Sequence, residues 1–472
     1  MKVRNPRTGE RDYEIAPLDR AGVEALAQSL RAAQPAWAAK SAEERADALR
    51  ALAAAVGEKR EAIAAALTLD TGRRAISGIE VDGTVRLLER WAASAPDLIA
   101  RAGGEPRPSA TPGIAVATRL VPYPLVGVIS PWNFPLTLAL IDAVPALAAG
   151  CAAMVKPSEV TPRFIRPLME AVAAVPGLPL ALVEGDGMTG AAMVGAVDYI
   201  AFTGSVATGR KVAAAAAAAF IPASLELGGK DPMIVLASAD PAWAAGIALR
   251  ASVVNTGQAC QSIERVYVAR EIAPAFLDAL IAGAEAARLN AEDIGAGEIG
   301  PFIFERQAAI VQAQIDDSVA RGARVLAGGR VETIGGGLYL RPTVLTDVPP
   351  DALLMREETF GPVIPVTPFG SVDEAVELAN RGEFGLSAAV LAGDAAEAEA
   401  VAMRLNAGAV SINDGGLTSM VWDAEKSSFG MSGMGPSRMG DSGLLRFFRR
   451  QALLRQTGRA LPLAAYAEDA PG

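Results

Sequence analysis

The apolar positions change period near residue 103. Over residues 20–102 they recur at helical spacing among Ala, Leu, Glu and Arg, which predicts helices. Residues 103–113 are rich in Gly and Pro and read as a linker. Residues 114–122 then alternate as an exposed or edge strand does. Leu125-Val126-Gly127-Val128-Ile129-Ser130 is a continuous apolar run, suited to a buried parallel strand. A rhythm of strand, turn and helix follows, with strands expected at 152–156, 180–184 and 199–202 and helices at 162–175 and 206–219. The alanine run from Ala213 to Ala219 reads as a small-residue face packed on a sheet. The most membrane-like stretch, Leu136 to Val155, contains Asp142, Pro145 and Gly150 and reads as a buried helix, a turn and a strand.

A second series spans 232–412, with strands expected at 232–236, 265–269, 323–327, 363–367, 387–391 and 408–412. A last strand is expected at Ala452–Gln456, and residues 461–472 read as a loose tail. Two such series argue for doubly wound α/β units.

The 472 residues leave room for about three units of ordinary size, and 51% hydrophobic content is ample for their cores. A net charge of -10 argues against nucleic acid or an anionic membrane surface as the main partner. Cys151 and Cys260 are the only cysteines, and two so far apart do not read as a disulfide framework. With no apolar leader after Met1, a reducing, cytoplasmic setting is expected. The chain has no histidine, which excludes Ser-His-Asp triads, Cys-His pairs and His-ligated zinc. No metal is expected. Any covalent nucleophile must be activated by something else, and a carboxylate is the obvious candidate.

Cys260 ends the segment Asn255-Thr256-Gly257-Gln258-Ala259-Cys260. Upstream lie Pro131-Trp132-Asn133-Phe134-Pro135, Lys156-Pro157-Ser158-Glu159, Phe202-Thr203-Gly204-Ser205 and Glu226-Leu227-Gly228-Gly229-Lys230; downstream lies Glu357-Glu358-Thr359-Phe360-Gly361-Pro362. In identity, order and spacing, from about residue 3 to 450, these segments resemble the aldehyde dehydrogenase superfamily. The resemblance implies an α/β fold of two doubly wound Rossmann-like domains plus a small β oligomerisation element. Residues 1–103 and 123–228 would form the cofactor-binding domain and 229–440 the catalytic domain. Residues 104–122 and 441–472 would form the oligomerisation element and tail, in a homodimer or homotetramer acting on a small-molecule aldehyde.

An aldehyde gives up hydride readily only after a nucleophile has added to its carbonyl. A thiolate does this, and the resulting thioester must then be hydrolysed. Cys260 is the expected nucleophile, with Gly257 letting the backbone come close; Cys151, which opens an apolar strand, reads as structural. Asn133 is the expected oxyanion donor. Glu226 is the expected general base, with burial beside Leu225 and Leu227 raising its pKa. Its presence favours hydrolysis to a free acid over transfer to coenzyme A.

Gly204 and Ser205 open a helix whose N-terminus suits phosphate oxygens. The run to Gly209 fails as a P-loop, because Arg210 follows and no Ser or Thr comes after Lys211. Lys156 and Glu159 resemble a pair at the adenosine ribose, where a carboxylate favours NAD, with NADP the less favoured alternative. Glu358 resembles the residue at the nicotinamide ribose and Phe360 the ring beside it, and Trp132 is placed on the same cofactor side.

Two departures matter. Residues 432–438 stand where many members carry Gly-Arg-Glu, and that carboxylate has no counterpart here. The stretch Leu417 to Phe429 is longer than usual and lacks a Pro before Phe429. Leu417, Met420 and Trp422 are expected to wall the substrate pocket opposite Phe134, Leu138 and Ile141. None of these six is cationic, which predicts apolar aldehydes, aromatic or medium-chain, over small carboxylated ones. The alternative is a semialdehyde or coenzyme-A-acylating enzyme. A semialdehyde enzyme would need a carboxylate-binding arginine, for which Arg265 and Arg438 are the nearest candidates. A non-catalytic protein on this fold is disfavoured, since Cys260 and Glu226 are both present.

Overall fold

The computed structural model describes residues 1–468. The helical stretch breaks into Arg20–Ala38, Ala42–Glu58, Arg60–Thr71 and Arg74–Gly103. The breaks follow local chemistry. Ser41 and Glu44 make a reciprocal capping box, and Gly72, at φ 69°, ends the third helix in the left-handed region.

The first sheet carries five parallel strands in the order Ala223–Glu226, Tyr199–Thr203, Leu125–Ile129, Ala152–Lys156 and Leu180–Leu182. Gly433–Met434 adds an antiparallel edge beside Glu226. Alternate residues feed two cores, one holding Val126, Val128 and Val155, the other Leu125, Ile129 and Met154. That is why these strands are apolar throughout. The second sheet has seven strands, ordered Arg324–Ala327, Thr343–Thr346, Val363–Phe369, Ile263–Ala269, Asp231–Val235, Ser387–Leu391 and Ala409–Ile412. A third sheet pairs Phe448–Gln456 with Ile114–Pro122, register Phe448 to Pro122 through Gln456 to Ile114, with Arg107–Pro108 on the far side. Eight of the nine residues of Phe448–Gln456 are exposed, and its outer edge is open among the described residues.

Several expectations shift. The 162–175 helix is Ile165–Ala173, and the strand expected at 180–184 is Leu180–Leu182. Leu136 to Val155 holds two helices, Pro135–Leu140 and Ala143–Ala149, before Gly150 (φ 101°) turns the chain into its strand. The alanine run packs on the sheet only through Ala216 and neighbours; Ala214 and Ala217 to Ala219 are exposed. Helical period turns most of a seven-residue run away from any one sheet. In the tail, Leu463–Tyr466 is an exposed helical turn; residues 469–472 lie outside the described residues. Among the described residues no helix is long and apolar enough to cross a membrane.

Candidate active site

Asn255, Thr256 and Gly257 are all left-handed, with φ of 61°, 59° and 66°. For Asn and Thr this backbone is unfavourable and needs support. Asn255 Nδ2 donates to the carbonyls of Asn133 at 3.1 Å and Gln258 at 2.9 Å. Thr256 Oγ1 pairs with Gly300, and Gln258 Oε1 accepts from the Ile303 amide at 2.9 Å. A Cβ on Gly257 would lie 2.3 Å from the Gly361 backbone, so this position needs glycine for close approach. The result presents Cys260 at a fixed, half-buried point.

Asn133 is buried beside this loop. Its backbone carbonyl accepts from Arg73 at 2.9 Å, and its Nδ2 donates to the Gln258 carbonyl at 3.0 Å. That bond uses one of two amide hydrogens and fixes the direction of the other. Glu226 ends its strand opposite Thr203, and Ser428 Oγ donates to its Oε2 at 3.0 Å. The two glycines that follow are the junction of the site. A Cβ on Gly228 would sit 2.6 Å from the Glu358 carboxylate. On Gly229 it would sit 2.7 Å from the Cys260 carbonyl and 2.7 Å from Asp231 Oδ1. Only side chains of one hydrogen let the Glu226 strand, Glu358 and the Cys260 loop meet here.

Burial pushes the Cys260 thiol up to about 12; Lys426 opposes the shift, while Glu358, Asp231 and Glu226 add to it. Burial, then the charge of Glu264, raises Glu358 to about 8, although the Gly229 amide donates to it at 3.1 Å. The other cysteine, Cys151, is fully buried, and burial raises its thiol far beyond the usual range.

Of the two arginines named from the sequence, Arg265 is committed to backbone, while Arg438 is held by its ion pair with Nε left unpaired. Arg265 donates to the carbonyls of Lys230, Arg381, Ala379 and Leu378. Arg438 is buried, donating to Asp142 at 2.9 Å and Thr203 at 2.6 Å. Arg446 also pairs with Asp142. Burial alone would raise Asp142, but Arg438 and Arg446 prevail and hold it below the usual carboxylate range. Arg438 feels the charge of Glu226 and Cys260, and a second cation bearing on the thiol, Lys426, was missed. Its position in a stretch without helix or strand periodicity gives no signal in the sequence.

On the cofactor side, Ser205 caps helix Val206–Ala219, whose first turn has no acidic residue. That leaves amide donors and a positive dipole end for an anion. Gly204 N donates to the Glu226 carbonyl at 3.1 Å, tying this turn to the strand that carries Glu226. Lys156 is buried and donates to Gly185 O at 2.9 Å, Pro157 O at 3.0 Å and Glu159 at 3.3 Å. Trp132 packs edge-on against Phe360 at 5.4 Å and near Phe304 at 6.1 Å. The amides of Thr359 and Phe360 donate to buried Glu264, itself paired with Lys230 at 2.7 Å. A helix N-terminus free of acids, carboxylates at two ends and an aromatic wall fit a dinucleotide.

The six pocket residues divide. Ile141 is buried, and Phe134, Leu138 and Leu417 are partly so. Thr418 Oγ1 donates to Gln261 Oε1 at 3.0 Å, which ties the Leu417 segment to the residue after Cys260. Met420 is 64% exposed and lies on the outer rim. Trp422 lies under the Arg90 guanidinium at 5.0 Å, and Arg73 lies 5.7 Å from the Phe134 ring. Two of the expected apolar walls are therefore backed by cations.

Two α/β sheets meet at a thiol, an amide and a carboxylate, the set of groups that an oxidoreductase using a covalent sulfur adduct would need. The comparisons agree with that class. A model of the aldehyde dehydrogenase family matches residues 1–453, and the chain belongs to that family. A protein of Mycobacterium tuberculosis described as "Putative succinate-semialdehyde dehydrogenase [NADP(+)] 2" is 38% identical over 441 residues, covering 92% of this chain and 84% of its own. A solved structure from Anabaena variabilis, described as "Putative Aldehyde Dehydrogenase PutA", is 49% identical with TM-score 0.95, covering 98% of this chain and 99% of that one. Betaine aldehyde dehydrogenase from Staphylococcus aureus, solved with NAD+, is 31% identical with TM-score 0.91, covering 98% and 92%.

Proposed function

We propose that this aldehyde dehydrogenase reduces NAD and releases a free acid, with Cys260 as nucleophile, Asn133 as oxyanion donor and Glu226 as base. The observation that supports this most is the Gly228-Gly229 turn, which sets the Glu226 strand, Glu358 and Cys260 around one point. The Cys260 thiol gives its proton to water, its sulfur adds to the aldehyde carbon, and the carbonyl electron pair moves to oxygen. The free hydrogen of Asn133 Nδ2 meets that oxygen without a fixed charge in the empty site. When bound, the nicotinamide supplies the hydride acceptor. Collapse of the adduct leaves a thioester on Cys260. Glu226, oriented by Ser428, takes a proton from water as the water oxygen adds to the thioester carbon. The carbon–sulfur bond then breaks, and the acid leaves.

NAD is favoured by Glu159, whose carboxylate would accept ribose hydroxyls and repel a 2′-phosphate. Lys156, 3.3 Å away, softens that repulsion, and the mycobacterial relative bears NADP(+) in its name. We therefore expect a preference, not strict selection; a kcat/KM favouring NADP would refute it. Helix Val206–Ala219 would hold the phosphates at Gly204 and Ser205, Glu358 the nicotinamide ribose, and Trp132 and Phe360 the ring side. Phe134, Leu138, Ile141 and Leu417 would carry the hydrocarbon body of the aldehyde, with Met420 and Trp422 at the rim.

The open edge of Phe448–Gln456 is the kind that a symmetric partner covers, so a homo-oligomer is expected. A monomer by light scattering at micromolar concentration would exclude it. Two unpaired thiols suit a reducing cytoplasm. The central test is acid quench during turnover followed by peptide mass mapping. An acyl group on Cys260 is expected; an acyl group elsewhere, or none, overturns the mechanism.

A further inference from the structure

Residues 425–429 alternate. Glu425, Ser427 and Phe429 are exposed, Lys426 is only 9% exposed and Ser428 is half-buried. In extended chain, residues i and i+2 share a face. Ser428 on that face reaches Glu226, so Lys426 looks into the same space. Its backbone amide is fixed by Ser437 Oγ at 3.2 Å. Cys260 and Asp231 both feel its charge.

Among the described residues the Lys426 ammonium makes no ion pair and no hydrogen bond. The two other buried lysines differ: Lys156 donates to three oxygens, and Lys230 donates to Glu264 and Thr359. The acids of the site are engaged elsewhere. Asp231 accepts from Ser387, Glu358 from the Gly229 amide and Glu226 from Ser428. A mostly buried cation whose ammonium has no oxygen partner in the protein is costly to hold, and the cost falls when an anion enters. The expected preference for apolar over small carboxylated aldehydes counted six wall positions, and Lys426 was not among them.

We propose that Lys426 receives an anionic group of the substrate, so that the site takes aldehydes bearing a carboxylate a few carbons from the carbonyl. The connecting carbons lie on Phe134, Leu138 and Ile141. This rests on the reading of Cys260 as nucleophile. Lys426 thus sets specificity, and its only bearing on bond making is its charge at the Cys260 thiol.

The test uses matched pairs on the full-length enzyme with NAD: butanal against succinic semialdehyde, and benzaldehyde against 4-carboxybenzaldehyde. Wild type is expected to favour the carboxylated member of at least one pair. Lys426→Met should lower kcat/KM for that member at least about 30-fold more than for its neutral partner, whose smaller loss reflects the cation's pull on the Cys260 thiol, and Lys426→Arg should retain most of the preference. Succinate should compete with butanal in wild type and not in Lys426→Met. Equal loss on both members, no loss on either, or a wild-type preference for both neutral aldehydes overturns the proposal. Turnover by Cys260→Ala would instead overturn the nucleophile, so the two failures appear on different variants.

Discussion

The floor of the site and its mouth are built by different rules. On the floor, the functional groups are held by hydrogen bonds between side chain and backbone, mostly from distant segments. Asn133 is gripped by Arg73, Asn255 and Gln258, Gln258 by Ile303 and Glu358 by Gly229. That network sustains left-handed Asn255 and Thr256, at a cost of roughly 1–3 kcal/mol for such a residue. The mouth, residues 417–431, has backbone pairing at Trp422, Phe429–Gly430 and Met431, while its side chains meet the site through single contacts: Thr418 to Gln261, Ser428 to Glu226 and Trp422 under Arg90. Met420 and Phe429 are exposed. A floor of this kind fixes what reaction occurs. A mouth of this kind can change which aldehyde enters without disturbing the chemistry.

The comparison fails if a floor substitution affects some aldehydes and spares others. Cys260→Ala should remove turnover of every aldehyde by a factor on the order of 10⁴ or more. Cofactor titration should show binding nearly intact, and residual oxidation of any one substrate would sink the assignment. In wild type without ligands, the thiol near 12 is protonated at neutral pH. Thiolate, the reactive form, gains tenfold per pH unit below that value. Iodoacetamide labelling of Cys260 should therefore keep climbing from pH 7 to 10; a plateau near neutrality would show a far more acidic thiol.

Glu226→Gln comes next, with steady-state loss of about 10²–10⁴. Because hydrolysis suffers more than hydride transfer, a rapid burst of NADH should appear or grow in stopped flow. Equal loss of burst and steady state would place Glu226 in thiol activation. Asn133→Ala should cost about 10²–10³ in kcat, similarly for aliphatic and aromatic aldehydes. A loss confined to KM would make it a binding residue.

The same division explains what the sequence disclosed. Buried parallel strands are runs of one chemistry, so 152–156 and 387–391 coincide with their expected bounds, as does the helix 206–219. Ala223–Glu226 was not foreseen as a strand, because Ala-Ser-Leu-Glu is short and has no β-branched residue. Thr343–Thr346 was also missed; four residues give too little pattern to read. The floor was legible as motifs. Its supports were not, since the grip on Asn133 joins residues 60 and 122 positions away. In the mouth, Arg90 reaches Trp422 and Lys426 reaches the thiol only through tertiary packing. No local pattern could announce either.

Ser428 belongs to both regions, which makes it the finest test of the boundary between them. It sits in the mouth segment, yet its hydroxyl donates to the base on the floor at 3.0 Å. A hydrogen bond to a charged group contributes about 1.5–3 kcal/mol when well buried. Both partners here are half-buried, so water replaces much of what Ser428→Ala removes. A loss of about three- to tenfold in kcat is expected, well below that of Glu226→Gln. The distribution of that loss is more informative than its size. If Ser428 serves by orienting Glu226, the loss falls on thioester hydrolysis, the NADH burst survives, and all aldehydes suffer alike. If it serves as pocket wall, the loss moves to KM and differs between butanal and benzaldehyde. We expect the first pattern, because among the described residues the hydroxyl's one hydrogen-bond partner is the Glu226 carboxylate. The second pattern would extend the mouth to the base itself and erase the distinction between the two regions.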